Sequence, residues 1–160
     1  LCCCRASSNF EPRVNRWHAR HPDDVDFWQT HGIWNGAMAT HARRFVTATS
    51  LGMFAKIHEA RVTIMNDERK RLTATDDIYD VFEDFGIDRE EFRKTFKSFS
   101  VNSQVKQANA RARSYKISGT PELVVNGKYR VSGREAGGQM EMLKVVDFLV
   151  NKERASLVAQ

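Results

Sequence analysis

Beyond residue 4 the chain contains no cysteine. Its three cysteines are consecutive, Cys2, Cys3 and Cys4. Neighbouring thiols form strained bridges at best, and no second cluster exists to complete a zinc site. No internal disulfide staples this fold, so packing must hold it. Long apolar runs are also missing. No stretch approaches the roughly 18 consecutive apolar residues that a membrane-crossing helix needs. Internal repeats and low-complexity segments are absent. No pair of histidines has metal-ligand spacing with a third ligand, so neither a metal nor a cofactor is expected. His18, His21, His41 and His58 read as surface or packing residues. The start, Leu1-Cys2-Cys3-Cys4-Arg5, has no basic region followed by an apolar one and so does not read as a signal peptide. It also has no initiator Met, and the expectation is a chain that begins inside a longer protein.

What is present suits a globular domain. The 160 residues allow one domain, or one domain with an insertion. The hydrophobic fraction is 41%, and ten Phe plus three Trp can fill a core. The net charge is +5, with basic clusters at Arg43-Arg44, Arg69-Lys70-Arg71 and Arg111 to Lys116. Acidic residues are interspersed with these and no nucleic-acid motif accompanies them. They read as solvated helix faces, and no nucleic-acid partner is expected.

Helical spacing dominates. Phe10 to Arg20 places Phe10, Val14 and Trp17 on one face. His21-Pro22-Asp23-Asp24 ends that helix, since proline disfavours helix in the residue before it. Val25 to Thr30 reads as a strand. Helices follow over Ala37 to Leu51, Phe54 to about Arg69, and from Thr75-Asp76-Asp77 to Gly86, the last with Ile78, Val81, Phe82 and Phe85 inward. Asp88 caps the next helix, with Glu91 placed as in a capping box. Phe92, Phe96 and Phe99 recur at helical spacing and read as core. Val101 to Tyr115 is a further helix. Gly133 to Gly138 reads as a loop, and Gln139 to Arg154 as a last helix with Met142, Leu143, Val146 and Leu149 or Val150 inward.

The most specific stretch is GTPELVVNGKY, Gly119 to Tyr129. Thr120-Pro121 can hold a cis bond, which folded proteins almost confine to proline. Glu122 to Val125 is a short β-prone run. Asn126-Gly127 is a strong hairpin signal, because both residues tolerate positive φ. A second strand follows over Lys128 to Val131. The order is helix, strand, helical block, strand, strand, helix, which describes an α/β sandwich interrupted by helices.

That order and GTPELVVNGKY together resemble the DsbA family of thiol-disulfide oxidoreductases. Phe10-Glu11-Pro12-Arg13, Phe92 to Val105 (FRKTFKSFSVNSQV) and Val145 to Val150 (VVDFLV) are also similar to it. The resemblance spans about Phe10 to Ser156. It implies an α/β thioredoxin-like fold over residues 1–36 and 117–160, incomplete at its N-terminus, with an all-helical insertion over 37–116. It also implies a periplasmic location, cysteine-containing substrate proteins and a membrane re-oxidising partner of the DsbB type. In the family an active-site Cys-x-x-Cys precedes the Phe matching Phe10. Counting back puts its first cysteine on Cys4 and its second on Ser7, with Ser8 at the aromatic position. Thr120 and Pro121 correspond to the edge that faces the redox cysteine and receives substrate. The family has a strand leading into the active site. Only Leu1 to Cys3 stand before Cys4 here, which implies an uncovered sheet edge. A truncated or frame-slipped gene would also explain the abrupt change before Phe10.

The chemistry of that replacement leaves three readings. A cysteine at a helix start is favoured as thiolate by unpaired N–H groups and the helix dipole. Serine at the second position can hydrogen-bond that thiolate but cannot form the stored disulfide. The first reading is a DsbA-like enzyme, impaired as an oxidase. The second is a non-catalytic relative that binds peptides along the proline edge. The third is a glutathione-dependent isomerase with Ser7 as the activating hydroxyl. Trp28 and Trp34 flank the implied groove and are expected to pack in the core.

Overall fold

The computed structural model describes residues 5–21, 24–56 and 75–158. The first helix, α1, runs Arg5–His18 and carries Pro12 inside it. Phe10, Val14 and Trp17 are its buried stripe, as their spacing predicts. The helix starts five residues before Phe10, so Ser7 lies within it.

Among the described residues the helical block contains α2 (Gly36–Ser50), α3 (Thr75–Glu83), α4 (Arg89–Phe96) and α5 (Phe99–Ser114). Residues 54–56 are helical and open the segment expected up to Arg69, most of which lies outside the described residues. The Asn35 side chain accepts from the Met38 N–H to cap α2, and Ser98 accepts from Val101 to cap α5. Asp88 accepts from the amides of Glu90 and Glu91 at the start of α4. Each bond satisfies an N–H that a helix start leaves orphaned. Ala48, Ile78, Val81, Phe82, Phe92 and Phe96 close into one apolar cluster.

Phe99 departs from expectation: it is 88% exposed. Helix α4 ends at Phe96, and Ser98 caps a new helix, so the helical phase that put Phe92 and Phe96, four residues apart, on one face does not carry across the break. The expected caps of α3 shift too. Thr75 is already the first helical residue.

The chain then makes an antiparallel hairpin. β1 (Glu122–Val125) pairs with β2 (Tyr129–Ser132), with Val125 opposite Tyr129 and Glu122 opposite Ser132. Asn126 and Gly127 turn it with φ of 49° and 67°. Positive φ is what makes this dipeptide a turn. Gly133–Ala136 is not a loop but a short helix, α6, because the Ser132 hydroxyl caps it through the Glu135 amide and Gly137 ends it in the left-handed region. The last helix, α7, spans Gln139–Val158 and buries Met142, Leu143, Val146 and Leu149. With Phe10, Val14, Trp17, Val125 and Val131 they form a second apolar cluster.

The expected strand over Val25 to Thr30 does not form. Among the described residues the sheet has two strands, β1 and β2. Val25 and Phe27 still pack on the core cluster. A strand needs a ladder partner, however, and a cavity separates this segment from β1. The β-prone side chains are therefore seated while the backbone is left unladdered.

Candidate functional site

The hairpin presents Thr120-Pro121 at the entry of β1, and the bond between them is cis. A polar recess adjoins this edge, walled by Ser118 to Glu122, Arg130, the start of α6 and Gln139. Its charged groups are tied together. The Ser118 hydroxyl donates to Glu122 Oε1 at 3.1 Å, and Arg130 Nε lies 3.8 Å from Glu122 Oε2. Arg130 Nη1 also donates to the Ser118 hydroxyl at 3.3 Å, and Nη2 donates to Glu135 at 3.5 Å. Residues on both sides of Thr120-Pro121 are thus braced to β2 through one guanidinium. The Ser132 hydroxyl donates to Glu135 at 2.7 Å. That bond first, and Arg130 second, hold the Glu135 carboxyl below its ordinary value.

Sequence reading did not single out Arg130, Glu122, Glu135 or Gln139. A signal was available. In a hairpin whose register is set by Asn126-Gly127, Arg130 stands opposite Val124 and diagonal to Glu122, the arrangement in which long opposite charges on neighbouring strands reach each other.

Helix α1 approaches the same region. Gln139 Nε2 donates to the Ala6 carbonyl at 3.4 Å, which joins the first turn of α1 to the start of α7 and to the recess beside Pro121. Phe10 and Glu11 of α1 also share a cavity wall with Thr120 and Pro121. Cys4 immediately precedes α1 and lies outside the described residues, as do Cys2 and Cys3. Ser7 is described. It is fully buried, and its Oγ has no hydrogen-bond partner among the described residues. No acidic residue stands in the first turn of α1, so no carboxylate there offsets the positive end of the helix dipole.

Gln29 donates to Glu11 Oε1 at 3.2 Å, across from the start of α1. The two tryptophans are not core residues. Trp28 is 50% exposed and Trp34 46%, and both stand on stretches that form neither helix nor strand. The Arg111 guanidinium stacks on Trp28 at 4.7 Å. Among the described residues no group of His, Cys, Asp and Glu is placed to hold a metal ion, and no helix is long and apolar enough to cross a membrane.

Residues 15–143 match the family model of the DSBA-like thioredoxin domain. The thiol:disulfide interchange protein DsbA of Pseudomonas aeruginosa is 35% identical over 147 residues, which span 92% of this chain and 70% of that protein. The DsbA of Bordetella pertussis is 33% identical over 152 residues, 94% of this chain and 72% of the relative. Among solved structures, the crystal structure of Pseudomonas aeruginosa DsbA superposes with a TM-score of 0.89 at 34% identity. It covers 97% of this chain and 81% of its own. A Proteus mirabilis DsbA variant with a non-covalently bound peptide, PWATCDS, shares the fold at 23% identity and a TM-score of 0.72, over 91% of this chain and 79% of that one. The chain belongs to the DsbA-like thioredoxin-domain family of thiol-disulfide oxidoreductases.

Proposed function

We propose that Cys4 is the reactive sulfur, that Ser7 is its hydrogen-bonding neighbour, and that Thr120-Pro121 is the edge along which a cysteine-bearing peptide lies. The observation that carries this reading is Ser7, one turn after Cys4 in sequence. Its hydroxyl is buried at the start of α1 with no partner among the described residues. Residues one turn apart on a helix share a face, so a hydroxyl there can donate to a sulfur at the helix start. The bond from Gln139 to the Ala6 carbonyl brings the first turn of α1 to the recess beside Thr120-Pro121, which supports a peptide lying near that end of the helix.

The reaction is thiol-disulfide exchange. The Cys4 thiolate attacks one sulfur of a substrate disulfide. A mixed disulfide forms, and the other substrate sulfur leaves as thiolate. That leaving thiolate, or an external thiol, then attacks the mixed disulfide and releases Cys4. Electrons balance within the exchange, and the substrate disulfide is rearranged rather than created. Ser7 supplies no second sulfur, so the chain stores no Cys4–Ser7 disulfide to donate. In a dithiol relative, a periplasmic setting and a DsbB-type membrane partner restore the disulfide. We assign the same location and partner class to this protein on its family membership.

The test is mass spectrometry of the intact chain after incubation with a disulfide-linked model peptide. A mixed-disulfide adduct lost in Cys4→Ala, and turnover of scrambled substrate that disappears with it, are the expected results. An adduct unchanged in Cys4→Ala overturns the assignment. A second reading, a non-catalytic peptide binder, rests on serine at residue 7. Retained peptide binding without any adduct favours it. Ser7→Cys separates the two further: with oxidised glutathione added as the electron acceptor, net disulfide formation in a reduced substrate should appear in that variant if Cys4 faces Thr120-Pro121.

A further inference from the structure

Helices α1 and α7 lie side by side, and their outward faces adjoin. The Arg13 guanidinium meets the Met140 sulfur, and the Trp17 indole N–H donates to Asp147 Oδ1 at 2.6 Å. On α1, Arg13 and Arg16 are exposed, as is Arg20 in the turn that continues the helix. Their spacing of three and then four residues aligns them in one stripe. On α7, Met142, Val146 and Leu149 turn inward. Met140, Lys144 and Phe148, spaced by four, lie on the opposite side. Phe148 is 67% exposed and Met140 48%. The acids of this face have partners. Glu141 accepts from Lys144 at 2.9 Å, and Asp147 is held by Trp17 with His21 Nε2 at 3.0 Å. Among the described residues Arg13, Arg16 and Arg20 form no ion pair. None of these three arginines, Met140, Lys144 or Phe148 lines the cavity beside β1 or the recess beside Pro121, so the face is a separate surface.

We propose that the α1–α7 face docks on an anionic lipid surface. Charge complementarity sets the sign of the partner. Three arginines without a counter-ion attract anionic headgroups, and each adds to the binding. The exposed apolar side chains set its class. Attachment to a bilayer interface grows with the apolar area buried in it and with the attraction to anionic lipid, and this face offers both. A protein partner must supply a fitted pocket for a phenylalanine ring that projects from a helix surface, whereas the boundary between headgroups and acyl chains accepts it without one. Arginine stems lie along such a boundary while their guanidinium groups bond phosphate oxygens. Gln139, which borders the recess and bonds the Ala6 carbonyl, directly precedes Met140, so docking would hold the Thr120-Pro121 recess close to the bilayer. The proposal does not depend on the assignment of Cys4 and uses none of the residues placed at the sulfur.

The test sediments the full chain with vesicles of mixed phosphatidylglycerol and phosphatidylcholine, and with vesicles of phosphatidylcholine alone. Partitioning onto the anionic vesicles is expected, and it should weaken as salt is raised. Arg13→Gln, Arg16→Gln and Arg20→Gln combined should lower it about a hundredfold, roughly fivefold for each cation. Phe148→Ser should lower it about tenfold. Arg93→Gln, Lys94→Gln and Lys97→Gln combined remove the same charge from exposed positions on and after α4 and should change it little. An equal loss in that second triple variant overturns the proposal, because it marks attraction by net charge alone. Equal partitioning onto both kinds of vesicle, or none onto the anionic kind, also overturns it. So does binding to polyglutamate without binding to vesicles, which would assign the face to an acidic protein.

Discussion

Ser7 separates stability from chemistry within a single side chain. A buried hydroxyl without a protein partner loses its hydration on folding, and removing it should be neutral or stabilising by about 1 kcal/mol. If that hydroxyl instead donates to the Cys4 thiolate, its removal should move the ionisation of Cys4 to higher pH by about one unit, the worth of a hydrogen bond to a charged group. Ser7→Ala, made with Cys2→Ala and Cys3→Ala, is therefore expected to keep or raise the urea midpoint while alkylation of Cys4 shifts to higher pH. A pH profile of alkylation unchanged from Ser7 excludes the hydrogen bond. Residue-scale reading proposes Cys4, Ser7, Thr120 and Pro121 as the site, from family resemblance. It missed Arg130, because an arginine in a strand looks like any exposed cation until the register sets it diagonal to Glu122. It misjudged Trp28 and Trp34, since a large aromatic is buried only where something covers it.

At the scale of elements, the hairpin turn is anchored to α7. Asn126 Nδ2 and Lys128 Nζ both donate to Glu153 Oε2. The Lys128 bond first, and the Asn126 bond second, hold the Glu153 carboxyl below its ordinary value of 4.5. A carboxyl whose folded pKa is depressed stabilises the fold above its unfolded pKa, and that stability is lost as pH falls through the folded value. Denaturant midpoints should accordingly drop as pH is lowered from 4.5 downward, and Glu153→Gln should flatten that acid limb while lowering the plateau near neutral pH. An acid limb of the same depth in Glu153→Gln would show that other carboxylates govern it. The turn itself was legible, because Asn-Gly has a local physical cause. The strand at Val25 to Thr30 was not. Its residues are β-prone, yet β-propensity describes fit to a pleated surface and does not supply a hydrogen-bonding partner.

Among the described residues two apolar clusters form, with no member in common. Phe10, Trp17, Val131 and Met142 belong to the sheet-side cluster, and Ile78, Phe82, Phe92 and Phe96 to the helical one. Removing a fully buried phenylalanine costs about 3–5 kcal/mol through lost transfer energy and the cavity left behind. Phe82→Ala is expected to speed amide exchange mainly in α3 and α4, and Phe10→Ala mainly in α1, the hairpin and α7. Exchange by mass spectrometry would read this directly, and equal acceleration everywhere in both variants would mean one cooperative unit. The division follows the chain order, in which helices interrupt the thioredoxin-like part.

Local physics in the sequence determined the main helices, the cap at Asp88, the turn at Asn126-Gly127 and the stripe of Phe10, Val14 and Trp17. Each depends on neighbours within a few residues, where spacing and backbone preference act directly. Family membership was also legible, through GTPELVVNGKY and the segments around it. Only the tertiary structure decided that α4 and α5 part company at Phe99, that Gly133 to Ala136 coil into a helix, and that Arg130 braces the chain on both sides of Pro121. It alone decided that, among the described residues, Val25 to Thr30 pairs with no strand. Those outcomes turn on which distant segment lies alongside, and burial and backbone pairing are settled there.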